Sequence, residues 1–271
     1  MPAMGSLASE AQSAYLRLLR DEAALGEEIH QHLDARLRDG RAAFGGRSLC
    51  PFAMPQFVSR EDYEHVRVAA RGIYGATLKA WKALGPALHD IVGLTEAERE
   101  LVAIDPGVAS PSPLSRLDSF LTPTSYRFVE LNAETPAGLG YAKVLSDVFL
   151  DLGIMKTLRR EFRIHQPDPC GKLLETLLAA YRQAGGAKAS PTIAIVDYEE
   201  VPTRNEHHIL RDLFEAAGAS ALVCDPRRMT FEGGALRHDG VAVDIVYKRL
   251  LVNELLERAE LVRPLLDAAR A

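Results

Sequence analysis

Apolar residues recur along this chain at two different spacings, and the changes between them divide it. From Glu10 to Leu37, Ala14, Leu16, Leu18, Leu19, Leu25 and Ile29 fall near a helical period with charges between them, which predicts one long amphipathic helix. Gly40 to Gly46 ends it. After a stretch rich in proline and aromatic residues, Ser48 to Gln56, the run Ser59-Arg60-Glu61-Asp62 reads as an N-cap with an acidic first turn. A second long helix to about Leu84 follows from it. Thr95-Glu96-Ala97-Glu98 repeats the capping signature, and Asp105-Pro106-Gly107 to Pro113 is a loop. The period then drops to two. Leu117, Leu121, Val129 and Leu131 alternate with polar positions around Pro123-Thr124-Ser125, predicting strands over Ser115 to Leu121 and Tyr126 to Glu134.

Helical spacing returns over Leu139 to Leu152, where Val144, Leu145, Val148 and Phe149 mark a buried stripe. It continues from Met155 to Ala184 with a break at Gln166-Pro167-Asp168-Pro169, and Gly185-Gly186 ends it. From Pro191 the order is strand (Thr192 to Val196), helix (Glu206 to Ala217) and strand (Ala221 to Cys224), a βαβ unit. Met229 to Phe231 and Ala235 to Arg237, joined through Gly233-Gly234, predict a small hairpin. Val241 to Arg249 then reads as a final strand leading into a helix near Glu254 to Arg258, within an apolar helical stretch from Leu250 to Ala269. The class is α/β, with helices dominating the first hundred residues.

The first hairpin carries the most specific chemistry. With a three-residue loop centred on Thr124, Asp118 lies opposite Glu130 and Arg116 opposite Asn132, because side chains alternate along a strand. All four then share one face, and the apolar residues take the other. Two carboxylates with Cβ atoms about 5 Å apart repel each other unless a cation or the arginine compensates, and a magnesium site meets that need. The competing reading is a solvated face with a cross-strand salt bridge. A turn centred half a residue away would put the polar residues on opposite faces.

Composition narrows the partners. With 271 residues the chain can bury one large core or two ordinary ones. A net charge of -5, from 32 basic and 37 acidic residues, leaves no footprint for nucleic acid. No apolar run predicts a signal peptide or membrane span, and Cys50, Cys170 and Cys224 lack any paired spacing, so a reducing cytoplasm is expected. Cys50, beside Pro51, has no activating partner in the sequence, and His207-His208 are helix neighbours that do not share a face. Gly138-Leu139-Gly140 lacks the spacing of a phosphate loop and reads as a helix entry.

Arg116-Leu117-Asp118 and Glu130-Leu131-Asn132-Ala133-Glu134-Thr135-Pro136 resemble glutathionylspermidine synthase and the circularly permuted ATP-grasp family. The resemblance implies that Asp118, Glu130 and Asn132 hold Mg²⁺ against the phosphates of ATP and that Arg116 stabilises the transferring phosphoryl group. Such chemistry calls for hard oxygen ligands and a bidentate cation. Two further stretches resemble the family's substrate-binding part. In Val196 to Glu206 the helix N-terminus would offer Thr203, Arg204 and Asn205 to an acid substrate, although Thr203 with Glu206 also reads as an ordinary capping box. At the end of the last strand, Lys248 and Arg249 would lie near phosphate or substrate carboxylate, although adjacent basic residues there are more often solvated.

The implied organisation is a helical region over 1–105, the metal-binding hairpin with helices of an incomplete ATP-grasp domain over 106–188, and a βαβ pre-ATP-grasp-like substrate domain over 189–271. The implied activity joins a carboxylate to an amine through an acyl phosphate, with small-molecule substrates and ATP as co-substrate. In the family a lysine-bearing subdomain that clamps ATP comes later, and no such pattern follows Arg249. A missing C-terminal segment or a second chain is therefore expected to complete the site, and this chain alone to bind ATP weakly without turnover. The alternative is a non-catalytic binding module derived from the same fold.

Overall fold

The computed structural model describes residues 6–271 apart from 45, 51, 111, 113, 123 and 124. The expected first helix is two, α1 (Ser6–Asp21) and α2 (Ala23–Asp39), because Glu22 leaves helical geometry at φ -122° and ψ 83°. Leu37 and Ala42 are fully buried, and the glycine-flanked stretch after α2 forms a two-stranded ribbon of β1 (Ala43–Phe44) and β2 (Arg47–Ser48). Helix α3 (Arg60–Leu84) starts where expected, with the Ser59 hydroxyl accepting the Asp62 N–H. Yet none of its 25 residues is buried. Two short helices follow, α4 (Ala87–Ile91) and α5 (Glu96–Val102), the second opened by a complete Thr95/Glu98 capping box.

The hairpin is β3 (Arg116–Thr122) and β4 (Ser125–Asn132), followed by α6 (Leu139–Asp151) and α7 (Gly153–Leu158). These two helices pack with α1 and α2 around Tyr15, Leu33, Leu37, Leu152, Ile154 and Leu158, the first of three cores among the described residues. The sequence from Arg159 to Asp168 is not helical, so the expected helical stretch resumes only at α8 (Pro169–Gln183), capped by Asp168. Proline at the first helical position fits because its missing N–H would have no intrahelical partner.

The βαβ unit is present as β5 (Thr192–Val196), α9 (Arg204–Ala216) and β6 (Ser220–Cys224). A hairpin of β7 (Met229–Glu232) and β8 (Ala235–His238) turns at Gly233 and Gly234, both at positive φ. Only glycine takes that conformation without strain. The expected final strand divides in two. Its first residues, β9 (Val241–Ala242), pair with β8, while β10 (Ile245–Lys248) pairs with β5 in the parallel sheet. Asp244 marks the crossing, accepting the Thr192 N–H and the Lys188 ammonium. The last apolar helix is likewise two, α10 (Val252–Glu257) and α11 (Arg263–Arg270).

The parallel sheet has the order β10-β5-β6 and is covered on both faces. Side chains alternate along β5, so Ile193 and Ile195 meet Leu173 and Leu177 of α8 and Leu210 and Phe214 of α9. Ala194 and Val196 meet Leu250, Leu255, Leu265 and Leu266 on the opposite face. Burial on both sides explains why β5 is continuously apolar. Among the described residues, no helix is long and apolar enough to cross a membrane.

Candidate functional site

In the hairpin, Arg116 pairs with Asn132 and Asp118 with Glu130, as the alternating pattern predicts. The route to that register differs from the expectation. The turn residues 123 and 124 lie outside the described residues, but Thr122 pairs with Ser125, so two residues separate the strands, not three. By itself this would place Asp118 and Glu130 on opposite faces. A bulge corrects it: Ser119 pairs with Phe128 and Asp118 with Glu130, leaving Val129 as the extra residue. Val129 is therefore not on the apolar face, as expected, but 62% exposed, and Phe128 takes its place there against Tyr126. The bulge also puts Arg127 on the carboxylate face, opposite Phe120.

The four polar side chains contact one another. Arg116 donates from Nε to Asp118 Oδ1 at 2.8 Å and from Nη2 to Oδ2 at 3.2 Å, a bidentate pair on one strand. Asn132 Nδ2 donates to Glu130 Oε1 at 2.9 Å. The Asp118 carboxyl is held below the usual carboxylate range, chiefly by the Arg116 hydrogen bonds, and Glu130 adds a smaller contribution. Among the described residues, no three histidine, cysteine, aspartate or glutamate side chains converge as a metal site. Magnesium asks for less than that, since one or two carboxylates with waters and substrate phosphates suffice. Asp118, Glu130 and the Asn132 amide oxygen are hard donors of that kind, and each carboxylate oxygen keeps a second lone pair.

The segment after β4 ties this face to the parallel sheet. Glu134 Oε1 accepts Lys248 Nζ at 3.0 Å and the Val252 N–H at 2.7 Å. Arg249 is not solvated at the strand end. Its side chain is 3% exposed, and Nη1 donates to the Pro136 carbonyl at 2.9 Å and to the Tyr247 hydroxyl at 3.0 Å. It holds the backbone of the segment rather than facing a substrate. Lys248 remains half-exposed beside Glu134.

At the start of α9 the expected capping box is absent. Thr203 has helical φ and ψ and its side chain caps nothing. Glu206 instead reaches a different helix, accepting the N–H groups of Gly138 at 2.7 Å and Gly140 at 3.1 Å at the N-terminus of α6. A carboxylate is favoured there by the unpaired N–H groups and the helix dipole. Gly138 sits at φ 111°, which favours glycine, and a Cβ on Gly140 would lie in tight contact 3.2 Å from Glu206 Cγ. Arg204 lies 3.6 Å from Glu199, and Asn205 donates to the Ala43 carbonyl, fastening α9 to the first ribbon. Among the described residues, Thr203, Arg204 and Asn205 make no hydrogen bond or ion pair with the four hairpin residues.

Two further buried groups meet between β5 and α9. Asp197, which follows β5, is 5% exposed, and burial pushes its carboxyl up to about 6. His207 Nε2 lies 3.5 Å away, fully buried, and desolvation followed by the charges of Arg249 and Arg204 pushes its pKa down to about 3. His207 is therefore a neutral core residue. Glu206 could have been found only by asking where a capping glutamate goes when its own helix does not use it. Nearby, Arg227 and Arg258 stack over Tyr198 and share Glu200, and Arg227 also donates to Asp225, so two cations meet two carboxylates. Cys170 and Cys224 are pushed up to about 12 by burial, which leaves them protonated and unreactive. A scan against models of protein families matched none, and a search of curated proteins returned no significant match.

Proposed function

We propose that this chain carries the magnesium- and phosphate-binding face of a carboxylate–amine ligase of the circularly permuted ATP-grasp type. The observation that supports this most is the register that sets Asp118 against Glu130 and Arg116 against Asn132. Bound Mg²⁺ would screen the phosphate charge that two facing carboxylates otherwise repel. Asp118, Glu130 and Asn132 are the oxygen donors, and Arg116 presents its remaining N–H groups to the transferring phosphoryl group.

In the reaction, a substrate carboxylate oxygen attacks the γ-phosphorus of ATP and ADP leaves. The amine nitrogen then attacks the acyl phosphate carbon, phosphate departs and the nitrogen loses a proton. No protein nucleophile is required, in keeping with the buried, protonated Cys170 and Cys224. Lys248, half-exposed between Glu134 and the sheet edge, is the cation best placed for the substrate carboxylate. Arg204 and Thr203, at the carboxyl end of β5, would line the approach.

A thermal-shift titration with an unhydrolysable ATP analogue at millimolar concentration tests the proposal. Stabilisation that requires Mg²⁺ is expected for the wild type and should vanish in Glu130→Gln and Asn132→Ala. The second reading, a non-catalytic binding module, is favoured by one observation, the 25-residue helix α3 without a buried residue. No shift at any Mg²⁺ concentration would select it.

A further inference from the structure

We propose that Glu206 and Arg249 are positioning residues for Arg116, acting through the Pro136–Gly140 strap; this rests on the nucleotide reading above. Three fixed points define the strap. Arg249 Nη1 donates to the Pro136 carbonyl at 2.9 Å, and Glu206 Oε1 accepts from Gly138 and Gly140 at 2.7 Å and 3.1 Å. Between them lies Ala137, whose carbonyl accepts Arg116 Nη1 at 3.0 Å. The same guanidinium uses Nε and Nη2 on the Asp118 carboxylate, so a backbone carbonyl and a side chain of its own strand together set its plane. One N–H on each terminal nitrogen is left to meet a ligand.

The chemistry of the buried pair argues against packing as its only purpose. Glu206 and Arg249 have side chains 1% and 3% exposed, and burying such charges costs stability unless they are well paired. Yet they stand 3.7 Å apart, and Glu206 Oε2 and Arg249 Nε have no hydrogen-bond partner among the described residues. Their short bonds go to the strap and to Tyr247 rather than to each other. Apolar residues of equal volume would serve a purely structural role as well or better. What they would not do is fix the Ala137 carbonyl from both sides.

The test is a double-mutant cycle on the whole protein, with the Mg²⁺ complex of the β,γ-imido analogue of ATP as probe. Calorimetric Kd is measured well below the melting temperature of every variant, and exchange of the Gly138 and Gly140 amides is followed without nucleotide. Glu206→Ala should weaken binding by about tenfold or more, as outer-shell changes do, and Arg116→Gln, which removes the phosphate contact itself, by at least as much. The double variant should bind no more weakly than Arg116→Gln, and Glu206→Gln, which keeps the acceptor, should restore most of the affinity and the slow exchange. Arg249→Lys replaces Glu206→Ala in the cycle if the latter does not fold. Losses that multiply to about a hundredfold, or a Kd indifferent to Glu206→Ala while Glu130→Gln abolishes binding, would overturn the positioning role alone. Wild-type protein that binds no nucleotide, or Glu130→Gln that binds as well as wild type, would overturn the nucleotide reading and this proposal with it.

Discussion

Asp197 is ionised at neutral pH in a place that disfavours its charge. Its folded pKa, about 6, lies above the ordinary 3.8, so its contribution to stability is fully present below pH 3.8 and is lost as pH rises through 6. At pH 7 that loss amounts to at most about 3 kcal/mol, two pKa units at 1.36 each. Asp197→Asn keeps an acceptor for the Tyr198 N–H, so it should raise the melting temperature at pH 7, the gain shrinking toward zero as pH falls below 4. His207 has the opposite slope, since a depressed pKa costs stability as pH falls below 6.5, but in the folded state it stays neutral above pH 4 in both proteins, so its contribution cancels in their difference. Melting curves of the two proteins from pH 4 to 8 decide this; parallel curves would show Asp197 to be unperturbed. Neither group was legible in the sequence. His207-His208 could be read only as helix neighbours, and full burial of the first was settled by α9 packing against β5 and α6.

The hairpin makes its own prediction at the level of the element. If Val129 is the extra residue of a bulge, deleting it joins Phe128 directly to Glu130 and preserves the pairing of Asp118 with Glu130. A three-residue loop predicts instead that the deletion turns Glu130 to the other face. Cysteines at positions 118 and 130, directly opposite and within about 5.5 Å between Cα atoms, should form a disulfide under mild oxidation. The cross-link should form equally well with Val129 deleted, and its loss would refute the bulge. The alternating pattern found the four polar partners because a period of two carries that information. It missed the bulge because one inserted residue and one fewer turn residue compensate each other in the count.

Across the whole molecule, three cores divide the labour unevenly. The parallel sheet buries residues 193–196 completely, with Phe214 and Leu210 packed on one face. Phe214→Ala should therefore cost about 3–5 kcal/mol in denaturant unfolding. Trp81, on the unburied helix α3, is 42% exposed, and Trp81→Ala should stay within about 0.5 kcal/mol. Comparable losses for the two would contradict this ordering of cores. Helix α3 was as clear in the sequence as β5, the one from its N-cap and acidic first turn and the other from its continuous apolar run. Periodicity reports which face is apolar and says nothing about whether anything covers it.

What the sequence determined alone is therefore local: the caps at Ser59 and Thr95, the glycine turn at 233–234, the βαβ order and the four-residue polar face of the hairpin. Each depends on neighbours within a few positions or on one strand pairing. Tertiary structure decided the rest. It split the last expected strand between two sheets, sent Glu206 from its own helix to the N-terminus of α6, and buried Arg249 against Pro136. Those outcomes depend on which unpaired N–H or carbonyl lies within reach across 66 to 113 residues of sequence. Buried polar groups take the partners that the packed chain brings to them, and no spacing along a single chain specifies that geometry.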